Sequence, residues 1–130
     1  MVRKFLAAGL VLAPLAQPAF AQQSPQFDAC MKQADGVSTR MLDCGKKEID
    51  RWDKRLNAAY QTLMHRGTHA ERAKLQQEQR AWLRHHLAET QRLAADPNNG
   101  SVAFLDSQAF ELSDLSGRTL ALEKRVGRHH

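Results

Sequence analysis

Ile49-Asp-Arg-Trp-Asp-Lys-Arg-Leu-Asn-Ala-Ala-Tyr-Gln-Thr-Leu-Met64 decides how this chain folds. Ile49, Trp52, Leu56, Ala59, Tyr60 and Leu63 recur mostly three and four positions apart, which is the period of one buried helix face. Asp50, Arg51, Asp53, Lys54 and Arg55 fill the intervening positions and suit water. Asp50 precedes Lys54 by four residues, the better order for an ion pair along a helix. A stripe of this kind requires a second helix to cover it.

Downstream, Gly67 is a natural helix stop, with His65 and Arg66 in the last turn. Thr68-His-Ala-Glu71 follows as a capping box, so the next helix starts almost without a loop and forms an antiparallel hairpin with the first. Its expected buried stripe is Leu75, Gln79, Trp82, Leu83, His86, Thr90 and Leu93. Asp96-Pro-Asn-Asn-Gly-Ser101 is the strongest turn signal. A last helix carries Phe110, Leu112, Leu115, Leu122 and Val126 and frays after Gly127, leaving 127–130 as a tail. Upstream, Phe27, Cys30, Met31 and Ala34 form a short helix ending at Gly36, and Ser38 or Thr39 caps the next. Gly45 inside that helix costs about 1 kcal/mol against alanine and marks a weak join. No run alternates as a strand does, so the fold class is all-α: a small helix hairpin or bundle.

The first residues read as an address. Arg3 and Lys4, the apolar run Phe5 to Ala16 broken by Pro14, and the small-x-small Ala19-Phe-Ala21 form a signal peptide (1–21) cleaved after Ala21. No cysteine follows that site, so no lipid anchor is expected, and Gln22 to Gln26 reads as a loose linker before a domain spanning 27–126. The expected location is periplasmic or secreted. Cleavage leaves 109 of the 130 residues and lowers the formal charge from +5 to +3. Basic residues never run beyond two together and are not interleaved with aromatics, which argues against nucleic acid as a partner. Cys30 and Cys44, an even count in an exported chain, read as a structural disulfide stapling the first helix to the second.

Three runs carry a family resemblance: Met41-Leu-Asp-Cys44, then Asp53-x-x-Leu56-Asn57-x-x-Tyr60, then Leu75-x-x-x-Gln79-x-x-Trp82. Together with Arg118-Thr-Leu-Ala-Leu122 they resemble the LprI-type lysozyme-inhibitor domain, a family of small exported helical proteins, over most of residues 27–122. Family members usually carry four cysteines; Thr90 and Phe110 stand at the third and fourth places here. Their joint loss implies that a whole bridge is missing and that Cys30–Cys44 is the surviving one. The same argument sets Thr90 and Phe110 face to face. The family's arginine–aspartate pair after the tryptophan is replaced by His86 and Leu87.

Asp53, Leu56, Asn57, Tyr60, Leu75, Gln79 and Trp82 are therefore the candidate core or interaction residues. Asn57 and Gln79 are expected to bond across the hairpin while Tyr60 and Trp82 fill it. His65 and His69, His85-His86 and His129-His130 lack a completing ligand set, so neither a metal nor another cofactor is expected. No nucleophile elbow, zinc-protease motif or phosphate loop appears, and no enzyme is expected. What the resemblance implies is a protein-binding role, with lysozyme or another wall hydrolase as partner. A hairpin face or the Asp96–Ser101 loop would plug the enzyme's cleft. The alternative is a periplasmic structural or stress-related interaction protein that shares the fold and never meets lysozyme.

Overall fold

A computed structural model describes residues 22–128, which form four helices: α1 (Pro25–Ala34), α2 (Ser38–Arg66), α3 (His69–Ala94) and α4 (Ser101–Arg128). No strand occurs among the described residues. Residues 1–21, read above as a signal peptide, lie outside them, as do His129 and His130.

The segment expected to be a loose linker is tied down. Pro25 opens α1 at a position where its missing N–H is no loss, and the Ser24 hydroxyl accepts from Phe27 N–H at 3.1 Å. Ser24 in turn donates its N–H and its hydroxyl to the Glu48 carboxylate of α2, at 2.6 and 2.9 Å. Beside it, Gln23 accepts from the Trp52 indole N–H at 2.7 Å. At its other end α1 stops where Asp35 and Gly36 enter the left-handed region, with φ of 49° and 73°. The Cys30–Cys44 disulfide, its Cα atoms 5.7 Å apart, then staples α1 to α2.

Helix α2 begins at Ser38 itself, so Val37 occupies the cap position and neither Ser38 nor Thr39 caps. No break occurs at Gly45. A Cβ there would lie 1.9 Å from the Gln108 side-chain oxygen, and in its absence the Gln108 amide donates to the Leu42 carbonyl at 2.8 Å. At the far end, Gly67 is extended (φ −75°, ψ 153°) rather than left-handed. Its lack of a side chain serves close approach, since a Cβ would stand 3.1 Å from the Leu63 carbonyl oxygen. Thr68 caps α3 as expected, accepting from Glu71 N–H at 3.2 Å.

The hairpin partners α2 and α3 touch each other little; α4 packs along both. Gln108 reaches Leu42, and Arg55 reaches Glu123, so α2 and α4 run parallel. Thr90 meets Ser107 and Gln79 meets Arg118, so α3 and α4 run antiparallel. On α4 the residues bonded to α2 and those bonded to α3 point roughly 120° apart at 3.6 residues per turn, which splays α2 from α3. The core therefore centres on the last helix: Leu112, Leu115 and Leu122 meet Trp52, Leu56 and Ala59 of α2 and Leu75 of α3. Leu122 is fully buried, as are Ser116 and Thr119, whose small side chains let neighbours approach. Their hydroxyls are satisfied within the helix, on the carbonyls of Ser113 and Leu115.

Candidate binding surface

The seven family-motif residues divide by position. Leu56 and Leu75 are core residues, and Tyr60 and Trp82 are half-buried against that core. Asp53 and Asn57 are exposed on α2. The expected bond between Asn57 and Gln79 does not form; the Gln79 amide oxygen accepts from Arg118 Nε at 2.9 Å. Leu83, expected in the α3 stripe, is 44% exposed, and Leu87 beside it is exposed too.

Polar contacts dominate where α3 meets α4. His86 is buried and pairs through Nδ1 with Asp114 at 2.7 Å, its ring tilted against those of Trp82 and Phe110 at centroid distances of 4.8 and 6.1 Å. Ser107 donates to the Thr90 carbonyl at 2.8 Å, and Arg125 to Glu78 at 2.8 Å. The His86–Asp114 and Thr90–Ser107 contacts set a register that puts Phe110 on the turn of α4 opposite His86 and Thr90. Trp82 Nε1 and one terminal nitrogen of Arg118 are buried without a hydrogen-bond partner among the described residues. Burial and the neighbouring Arg125 lower the Arg118 pKa from its usual value, and the opposing pull of the Glu78 carboxylate does not restore it. A groove of about 250 Å³ beside these residues, lined by Trp82, Phe110, Asp114 and Gly117, is smaller than most small-molecule sites.

Glu48, Gln108 and Asp114 belong to none of the motifs read from the sequence, and Arg118 enters there only as the first residue of the last-helix run. Of the first three only Glu48 left a signal, since Cys44, Glu48 and Trp52 are four apart and share one helix face. It is 1% exposed. Burial alone pushes its pKa up, but hydrogen bonds from Arg51 and Ser24 outweigh that and hold it below the usual carboxylate value.

His86 and Asp114 have the geometry of a base and its orienting acid, but the hydroxyls of Thr90 and Ser107 are committed elsewhere. Thr90 donates to the His86 carbonyl and Ser107 to that of Thr90. No group of three or more His, Cys, Asp or Glu residues suited to a metal occurs among the described residues. Nor is any described helix long and apolar enough to cross a membrane. The described residues form a small, disulfide-stapled helical domain. Residues 30–122 match the family model described as Lysozyme inhibitor LprI, and the chain belongs to that family. No curated protein and no solved structure matches it.

Proposed function

We propose that this chain is an exported, non-catalytic protein-binding module that inhibits lysozyme or another cell-wall hydrolase, acting in the periplasm or outside the cell after cleavage behind Ala21. The family match over residues 30–122 carries this reading. The leader sequence supports export, and N-terminal sequencing of exported protein should find Gln22. Retention of the intact leader in membranes would contradict it.

Charge shapes the expected target. A mature chain of +3 gains no long-range attraction to a basic animal lysozyme. Inhibition should therefore be weak for such an enzyme at physiological salt and stronger for a neutral or acidic wall hydrolase. Steady-state inhibition across such a panel tests the reading; nanomolar inhibition of the basic enzyme would overturn the electrostatic argument.

One observation favours the second reading, an interaction protein with no lysozyme activity. Leu56, Tyr60, Leu75, Gln79 and Trp82 are all engaged within the bundle, so much of the motif preserves the fold rather than a contact surface. Absence of inhibition across the whole panel would select that reading.

A further inference from the structure

We propose that the inhibitory edge is the end of the bundle where α2 turns into α3 and α4 finishes, and that it fits the carboxylate-lined cleft of a glycoside hydrolase. The proposal rests on the reading that a wall hydrolase is the target.

Cationic residues concentrate at this end. Arg66, Arg72 and Lys74 flank the turn, while Lys124, Arg125 and Arg128 arrive on the last turns of α4. The two groups are neighbours: Arg66 donates to the Val126 carbonyl at 3.3 Å, and Arg125 reaches Glu78 of α3. Exposed His65 and His69 stand on either side of the turn. Against six cations the local acids are Glu71 and, one turn further in, Glu78 and Glu123, so this end carries a surplus equal to the whole mature charge. The opposite end differs in sign. Its exposed loop, Asp96 to Gly100, contains no cation, and the Asp96 carboxylate accepts from Asn98 N–H and the Asn99 amide, each at 3.0 Å.

Glycoside hydrolases place two carboxyl groups across the bond they cleave, so their clefts favour a cation over an aspartate. That excludes the Asp96 loop as the plug and selects the turn. The turn is also held in shape. Gly67 N–H donates to Leu63 at 3.0 Å, Arg72 donates to the Gly67 carbonyl at 3.1 Å, and Thr68 caps α3. A prominence with a fixed shape loses little entropy on docking. Lys124, Arg128, His65 and His69 have no charged partner among the described residues and remain available to a target.

The test compares two charge reversals of equal size in the mature chain against a neutral or acidic wall hydrolase. Lys124→Glu with Arg128→Glu alters the proposed edge; Lys32→Glu with Arg40→Glu alters the opposite end by the same net charge. Melting curves establish that both pairs fold. The edge pair should raise the inhibition constant at least about tenfold, as loss of charge pairing at an interface does, while the opposite pair changes it less than about threefold. Inhibition should be competitive with an oligosaccharide filling the cleft and weaken with salt. Equal losses from both pairs, no loss from the edge pair, or non-competitive inhibition by the parent protein would each overturn the assignment and leave the inhibitor reading standing. Failure of the unaltered protein to inhibit any enzyme would overturn both.

Discussion

Helix α4 meets α2 and α3 by opposite means. Against α2 its face is apolar, with Leu112, Leu115 and Leu122 packed on Trp52, Leu56 and Ala59. Against α3, Leu75 apart, polar contacts dominate: His86–Asp114, Thr90–Ser107, Gln79–Arg118 and Glu78–Arg125. Leu75 and His86 are the buried residues of α3, against six in α2 and seven in α4. Apolar burial is non-directional and stabilises in proportion to area, whereas paired polar groups roughly offset their own desolvation. Stability should therefore reside in α2 and α4, disulfide-stapled to α1, while α3 is held in orientation more than in energy.

The largest effect should come from the apolar seam. Leu122→Ala removes a fully buried side chain and should cost about 3–5 kcal/mol in denaturant unfolding. Trp82→Ala, which a buried anchor would put in the same range, should cost less, about 2–3 kcal/mol, because the ring is half-buried and its N–H lacks a partner. Equal costs would abolish the contrast between the seams. Hydrogen exchange offers a second check, since α3 amides should open before those of α2 and α4.

Next in size is a change meant to erase the difference. Thr90→Cys with Phe110→Cys should form a bridge between α3 and α4, provided the Cα atoms meet the usual limit of about 4.4–6.8 Å. The oxidised protein should contain no free thiol and gain up to about 3 kcal/mol, less what the Phe110 ring contributes against His85 and His86. Mixed pairing with Cys30 or Cys44 would show that the positions do not face one another.

Glu48→Gln probes the join between α1 and α2. Losing charge-assisted bonds from Ser24 and Arg51 at a buried site should cost about 2–3 kcal/mol at neutral pH. Because the folded state lowers the Glu48 pKa, its contribution is complete above the unfolded value of about 4.3 and disappears as pH falls through the lower folded value. The gap between variant and parent should accordingly close on acidification below about pH 4. A gap independent of pH would show that the charge is not what matters there.

The smallest effect is expected at Gly45. Propensity alone predicts that Gly45→Ala gains about 1 kcal/mol in α2. The new methyl displaces the Gln108 amide from its bond to the Leu42 carbonyl, a loss of about 1 kcal/mol. A net change within about 0.5 kcal/mol of zero is expected, and a full gain of about 1 kcal/mol would mean that bond is worth nothing.

Periodicity and end signals were sufficient for the helices. The stripe from Ile49 to Leu63, the Thr68 cap, the Asp96–Ser101 turn and the Cys30–Cys44 pair all depend on residues close in the chain, where spacing is geometry. Which helix covers which does not follow from spacing. The stripe on α2 needed a partner, and the adjacent α3 was the obvious candidate, but the two faces of α4 give that place to the last helix. Likewise the pairing of Glu48 with Ser24, of Asp114 with His86 and of Arg118 with Gln79 joins residues 24 to 39 positions apart, which no local pattern encodes. The sequence by itself determined where helices start, stop and turn an apolar face inward, because those are short-range sterics and hydrogen bonds. Only the tertiary structure decided that α4 lies at the centre and that the cations of two distant segments share one end. Packing and long-range charge depend on distances in space that chain order leaves open.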